Sequence, residues 1–328
     1  MLNIYVPKAK DNDLVTEDNE IVNRFLQHNA DNASITFCDS ARQANIIILF
    51  QSWSFKLPDY GKQLLNNTLF KENAKKIYVV NYDSTVSEGF LPGCYVSLNQ
   101  SNYDESRFRA CAYPKVYNEY IAEQEFGEPL DRFLFSFRGT LHSHPVRQRM
   151  FDALKDEELG LMVDNTKAFH THTEHEKRQY IKDLENSWFV LCPRGSSPNS
   201  YRLYEAMSMG RCPVIISDEW LETPGPDWSS CSIRVPEDKI HDLVSILKER
   251  KHDAQHLGQN ANIEWQKHFS EIAKNKNYLE QILSLHRQVK SATMTAQGYR
   301  KHWASNKFLS ANNWTLKQKI LRKLRNVI

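Results

Sequence analysis

The 328-residue chain has no apolar run approaching the roughly 18 residues that a membrane-spanning helix requires, no Cys-x-x-Cys pair, no internal repeat and no low-complexity linker. The first absence excludes a spanning helix. The six cysteines (Cys38, Cys94, Cys111, Cys192, Cys212, Cys231) are scattered and several sit in apolar runs. That excludes a disulfide or zinc framework and predicts reduced, buried thiols in a cytoplasmic protein. The opening MLNIYVPKAKDND lacks the charged start and long apolar core of a signal peptide, so it reads as a first strand. Acidic residues are missing altogether after Glu280, where Arg287, Lys290, Arg300, Lys301, Lys307, Lys317, Lys319, Arg322, Lys323 and Arg325 accumulate. Ten of the 42 basic residues lie there, so the other 32 face 40 acidic ones: the body carries −8 although the whole chain carries +2. An acidic body with a basic tail suggests a surface that seeks anions. No nucleic-acid motif accompanies it, and nucleic acid is not an expected partner.

What is present is an α/β rhythm. The length exceeds one comfortable core and predicts two domains, while 41% hydrophobic and 11% aromatic content fits a soluble globular chain. Strand signals occupy Leu2 to Val6, Ser34 to Phe37, Asn45 to Phe50 and Lys76 to Asn81, with helical patterns at Asp18 to His28 and Asp59 to Asn73. Residues 82–128 are rich in turn signals and read as a link. Alternation resumes with a strand at 133–137, a helix at 145–155, a strand at 160–163 and a helix at 174–187. A strand at 233–235 and helices at 237–249, 252–270 and 273–290 complete the pattern. Such alternation predicts parallel sheets wrapped by helices.

The densest chemistry lies between Trp188 and Val235. An apolar strand, Trp188 to Cys192, runs into the polar turn Pro193-Arg194-Gly195-Ser196-Ser197-Pro198-Asn199-Ser200. A helical pattern from Tyr201 to Met209 stops at Gly210, and a second strand, Cys212 to Ile216, ends at Ser217-Asp218. This is one βαβ unit with its loop at the carboxyl end of a strand, where open parallel sheets bind ligands. A helix starting among Ser, Asn and Gly presents backbone N–H groups to an anion, and Arg194 and Arg202 add charge. A phosphorylated, nucleotide-like ligand is expected.

The ordered set Cys192-Pro-Arg-Gly195, Ser200-x-Arg202-x-x-Glu205-Ala206, Gly210-x-Cys-Pro-Val-Ile-Ile216, Asp218 and Asp227-Trp228 resembles the exostosin glycosyltransferase family. Upstream, Phe133-Leu-Phe-Ser-Phe-Arg138-Gly139 followed by Val146-Arg147 resembles the strand and turn opening that family's nucleotide-binding half. The resemblance covers about residues 132–247 and implies the GT-B architecture, two Rossmann-like domains facing across a cleft. It implies an acceptor domain over 1–130, a nucleotide-sugar domain over 131–290 and a basic tail over 291–328. The implied activity is inverting transfer of a sugar from a nucleoside diphosphate donor, UDP-linked, to a hydroxyl of a growing or lipid-linked glycan. Bacterial surface polysaccharide or lipopolysaccharide synthesis is the expected setting. The alternative is a non-catalytic nucleotide- or glycan-binding module of a polysaccharide assembly complex.

Within that frame Arg138, beside Gly139, is expected to clamp the diphosphate through its planar guanidinium. Arg202 sits on a first helical turn, where the macrodipole disfavours cations, and is better explained by a bound anion than by pairing with Glu205. The resemblance makes Glu205 the ribose ligand. Ser196, Ser197, Asn199 and Ser200 are turn or cap residues whose hydroxyls and amides can also touch phosphate. Asp218 either meets the donor sugar or closes a turn. Trp228 is read as packing. His170, His172 and His175 read as a solvated loop rather than a metal site, and Asp11-Asn12-Asp13 as a chance DxD; no metal or cofactor is expected, arginines and a helix N-terminus stabilising the leaving diphosphate. Asp83, Glu88 and His142, with His144 as a rival, are the candidate bases for deprotonating the acceptor. From Trp314, Leu316, Ile320, Leu324 and Val327 fall on one helical stripe among basic residues. This predicts an interfacial helix on anionic lipid, with Trp303, Phe308 and Trp314 as anchors.

Overall fold

The computed structural model describes residues 1–8, 19–52, 60–115, 118–124, 127, 129–168, 172–288 and 294–312. Its strands are β1 Leu2–Tyr5, β2 Ile35–Phe37, β3 Ile46–Gln51, β4 Ile77–Asn81, β5 Gly93–Tyr95, β6 Phe108–Ala110, β7 Phe133–Gly139, β8 Gly160–Asp164, β9 Ser187–Pro193, β10 Cys212–Ile216 and β11 Ile233–Arg234. Its helices are α1 Asn19–His28, α2 Tyr60–Asn66, α3 Thr68–Asn73, α4 Pro145–Leu154, α5 Glu174–Glu185, α6 Tyr201–Ser208, α7 Trp228–Cys231, α8 Leu243–Glu249, α9 Ala254–His268, α10 Glu271–Gln288, α11 Ala296–Ala304 and α12 Asn306–Ala311. The chain divides into two compact units, Met1–Pro114 with everything from Lys274 onward, and Lys115–Ala273. The fold class is α/β as expected, with one parallel sheet in each unit.

Unit one is a parallel sheet of order β2-β1-β3-β4-β5-β6. Its middle strands β3 and β4 are buried along their whole length, as a sheet covered on both faces demands. Helix α1 buries Ile21, Val22 and Phe25, one stripe of its amphipathic face. The pattern read as one helix over 59–73 is two helices, because the Asn67 side chain accepts the Leu69 N–H at 2.9 Å and caps a new start. Strands β5 and β6 lie inside the segment read as a link. Each is three residues long and embedded among turn formers, too short for a period-two pattern to register.

Residues 274–288, assigned by sequence to the second domain, belong to unit one. Helix α10 buries Tyr278, Leu279, Ile282, Leu283 and Leu285. The Tyr278 hydroxyl donates to the Ala112 carbonyl at 2.8 Å, and Arg109 donates to the Gln288 side chain at 2.7 Å. An amphipathic pattern shows that a helix has a core face but not which core it faces. Helices α11 and α12 also join unit one, and this corrects the tail reading. Trp303 and Phe308 are 3% and 0% exposed, packed on Phe90, so they are core residues and not lipid anchors. The stripe from Trp314, Asp11 to Asp13 and His170 lie outside the described residues. No described helix is long and apolar enough to cross a membrane.

Unit two is a parallel sheet of order β11-β10-β9-β7-β8. β8 lies on one side of β7 and β9 on the other, so the order reverses between β7 and β9 and loops diverge there from adjacent carboxyl ends. The strands are short and apolar: Phe135, Phe189, Leu191, Val214 and Ile216 are all fully buried. α6 ends as the sequence predicts. Gly210 has φ 63°, Gly210 N–H bonds the Met207 carbonyl and Arg211 N–H the Ala206 carbonyl, which satisfies the last carbonyls of the helix. The helix read over 237–249 begins as a 3-10 turn, Glu237–Asp242.

Candidate functional site

The switch point of unit two gathers most of the residues singled out in the sequence. The loop after β7, residues 140–144, leads into α4, where His144 is the N-cap and its Nδ1 accepts the Val146 N–H at 3.3 Å. Its proton therefore resides on Nε2. Burial, with Arg194, Arg149 and Arg147 adding to it, lowers the His144 pKa to about 4 and keeps the ring neutral. His142, in the same loop, is exposed.

The loop after β9 leads into α6. Arg194 N–H continues the sheet by bonding the Ile216 carbonyl at 3.0 Å, and Gly195 N–H bonds the Ser197 carbonyl at 3.1 Å. The Ser197 hydroxyl accepts the Asn199 N–H, and the Asn199 side chain accepts the Ser200 N–H and donates to the Tyr204 hydroxyl at 3.0 Å. Ser197 and Asn199 therefore shape the turn, whereas Ser196 is exposed. Ser200 occupies the N-cap of α6, yet its side chain makes no cap hydrogen bond. The Ser200 side chain therefore does not cap the positive end of the α6 dipole.

The two arginines are braced from below. Arg138 Nε bonds Asp183 Oδ2 on α5 at 2.5 Å, and Asp183 is 3% exposed. Arg202 Nη2 donates to the Arg138 carbonyl at 2.6 Å, with its guanidinium 4.8 Å from the Phe137 ring centre. Gly139 permits that approach, because a Cβ there would stand 2.6 Å from Arg202 Nη2. Glu205 is 8% exposed and accepts the Tyr180 hydroxyl at 2.9 Å. Burial raises its pKa, while Arg202, Tyr180 and the Asn118 backbone N–H pull it back.

Five buried polar atoms on this edge lack a hydrogen-bond partner: Ser143 Oγ, Arg194 Nε, Arg202 Nε, Glu205 Oε1 and Ser217 Oγ. Each such atom costs about 1–3 kcal/mol unless a ligand or water meets it. Asp218 and Glu237 form a reciprocal pair. The Asp218 carboxylate accepts the Glu237 N–H at 3.0 Å while Glu237 accepts the Asp218 N–H at 3.2 Å.

Asp83 and Glu88 belong to unit one, after β4. The Asp83 carboxylate accepts both the N–H and the hydroxyl of Thr85, at 2.8 and 2.6 Å, an Asx turn. Glu88 is 8% exposed, and its Oε1 lies 3.8 Å from His302 Nε2. Burial raises its pKa, opposed by Lys307 and Arg107. Among the described residues no group of three or more His, Cys, Asp or Glu side chains is arranged to hold a metal; His172 bonds Asn165, and His175 is exposed.

Sequence reasoning missed Asp183, Tyr180, Ser143 and Ser217, none of which carries a local signature. It also left Arg147 unassigned. Arg147 is the third residue of α4, so the argument applied to Arg202, a cation at an unfavourable helix start, was available for it as well.

The fold and site together define a parallel α/β unit whose switch point gathers Arg138, Arg194, Arg202 and the start of α6. Residues 109–250 match the Exostosin GT47 domain. A probable glucuronosyltransferase of Oryza sativa subsp. japonica is 30% identical over 140 residues, 41% of this chain and 32% of that protein. Exostosin-1 of Drosophila melanogaster is 24% identical over 163 residues, 44% of this chain and 21% of that one. Residues 109–250 are thus similar to the Exostosin GT47 domain, over less than half of the chain. The chain spans about a third or less of the length of these relatives. The crystal structure of TarM resembles the chain at TM-score 0.41 and 12% identity, over 73% of this chain and 54% of that one, too distant to bear on the reading.

Proposed function

We propose that the protein is an inverting glycosyltransferase that takes a sugar from a nucleoside diphosphate donor, UDP-linked, and passes it to a hydroxyl of a glycan. The observation that carries this reading is the convergence of Arg138, Arg194, Arg202 and the side-chain-uncapped start of α6 on one switch point. Guanidinium groups and helix amides match a diphosphate in charge and geometry, and they stabilise it further as it leaves. Glu205, buried one turn into α6, is suited to sugar hydroxyls of the donor, the ribose first. The five unpartnered polar atoms support a polar ligand at this edge. The names of the relatives support a glycosyl donor, a hexuronosyl or pentosyl unit among the choices. Transfer proceeds without a resident metal in this reading.

For the acceptor we propose a growing or lipid-carried glycan of the surface-polysaccharide or lipopolysaccharide kind. Support comes from the basic composition after Glu280, which suits a cytoplasmic enzyme resting on an anionic membrane face. A screen of nucleotide sugars for nucleotide release and transfer tests the activity. Turnover of a UDP-sugar is the expected result. Tight UDP binding with no turnover of any donor would favour the non-catalytic module, and no nucleotide binding at all would overturn the site.

A further inference from the structure

Helix α4 supplies one side chain that the readings above leave unused. Arg147 is 8% exposed and spends all three guanidinium nitrogens on backbone carbonyls. Nε donates to the Arg194 carbonyl at 2.9 Å, Nη1 to the Thr140 carbonyl at 3.1 Å and Nη2 to the Pro193 carbonyl at 3.4 Å. Thr140 follows β7; Pro193 and Arg194 close β9 and open its loop. A single planar group thus ties together the two loops that diverge at the switch point.

The ties fix peptide planes from both sides. The Thr140–Leu141 peptide gives its carbonyl to Arg147 and its N–H to Thr166 Oγ1 at 3.1 Å. The Pro193–Arg194 peptide gives its carbonyl to Arg147 and its N–H to the Ile216 carbonyl at 3.0 Å. Gly195 completes the arrangement, since a Cβ there would lie 3.0 Å from Arg147 Nη2 and 3.2 Å from Ser143 Oγ. Only a fork with several fixed donors makes these bonds at once; a lysine ammonium is a point charge on a flexible stem.

We infer that Arg147 is a positioning residue of the donor site, resting on the diphosphate reading above. It sets the spacing of the β7 and β9 loops so that the Arg194–Ser200 turn and Arg138 meet one diphosphate together. The phosphate chain feels this spacing more than the nucleoside, because the chain must touch both loops. Loss of Arg147 therefore falls mainly on ligands carrying two phosphates.

The test is calorimetry of the full chain with UDP and UMP, for the wild type, Arg147→Ala, Arg147→Lys and Thr166→Val. Arg147→Ala is expected to weaken UDP by about tenfold or more and UMP much less, and Arg147→Lys not to restore UDP. Tens of millimolar methylguanidinium is expected to recover UDP affinity in Arg147→Ala and to leave Arg147→Lys unchanged. A general folding lesion would weaken UDP and UMP alike and would ignore methylguanidinium. Should Arg147→Ala fail to fold, Thr166→Val, which removes the opposite pin of the Thr140–Leu141 peptide, is expected to weaken UDP by about two- to fivefold. Unchanged UDP affinity in the variants, or full rescue by lysine, overturns this inference alone. A wild type that binds neither nucleotide overturns the diphosphate reading and this inference with it.

Discussion

Arg202 reaches from the first turn of α6 to the carbonyl of Arg138 and bonds it at 2.6 Å. Two residues 64 positions apart in the chain are thereby held as one basic pair, with Asp183 beneath the first and Phe137 beneath the second. For a diphosphate, Arg202→Ala and Arg138→Ala should each lower UDP affinity by about 1.5–3 kcal/mol, the loss of a charge-assisted hydrogen bond. The two losses should not add, because one residue holds the other. Calorimetry checks this; unchanged affinity in both variants would remove the arginines from the site.

Stability should fall on mild acidification. His144 and His302 are each lowered from 6.5 to about 4, chiefly by burial. The unfolded chain therefore binds protons that the folded chain refuses as the pH drops from about 6.5 toward about 4, and stability is lost through that window. Glu88, raised by burial, pulls the other way, since its contribution fades as the pH rises through its folded value. His302→Gln should flatten the acid slope by ~2 kcal/mol after discounting solvent contact. Denaturant titrations at pH 7.5 and 4.5 measure it, and an unaltered slope in the variant would contradict the assignment.

Asn312 is fully buried and makes four hydrogen bonds. Its Oδ1 accepts the Ser87 and Glu88 N–H groups at 2.9 and 3.2 Å, and its Nδ2 donates to the Glu88 and Phe308 carbonyls at 3.1 and 3.2 Å. Asn312→Ala orphans these groups and should cost about 2–4 kcal/mol. Urea unfolding gives the number directly, and a change below about 0.5 kcal/mol would mean that water replaces the side chain.

The base is open to a three-way substitution test. Asp83→Asn, Glu88→Gln and His142→Ala should leave UDP affinity intact, and the variant that removes the base should lower transfer by about 10²–10⁴-fold. Transfer that survives in all three variants would move the search to His144.

Chelation should leave transfer unchanged. Activity abolished by EDTA and restored by one divalent ion would overturn the metal-free reading and return attention to His170, His172 and His175.

Much of the fold was legible because buried parallel strands such as Ile46–Gln51 and Cys212–Ile216 are uninterrupted apolar runs between turn formers. β5 and β6 were not, since three residues carry no period, and α10 to α12 were misassigned because their partners are hundreds of positions away. In the site, Arg138, Arg202 and Glu205 could be read from motif and helix position. Asp183 and Tyr180 could not: each is one polar residue on a helix face, and only the folded chain reveals that its neighbour is an arginine or a buried glutamate. Asp218 shows the reverse limit, because a carboxylate at a strand end looks alike whether it awaits a sugar or closes a turn.

The return of the chain to unit one through α10, α11 and Asn312 governs the order of events during synthesis. Unit two is one continuous segment and has every strand it needs as soon as that segment leaves the ribosome. The earlier-made sheet must wait, its Ser87–Glu88 backbone and the surface around Phe90 uncovered, until the last helices emerge. Within this chain, the sheet made before unit two is completed after it.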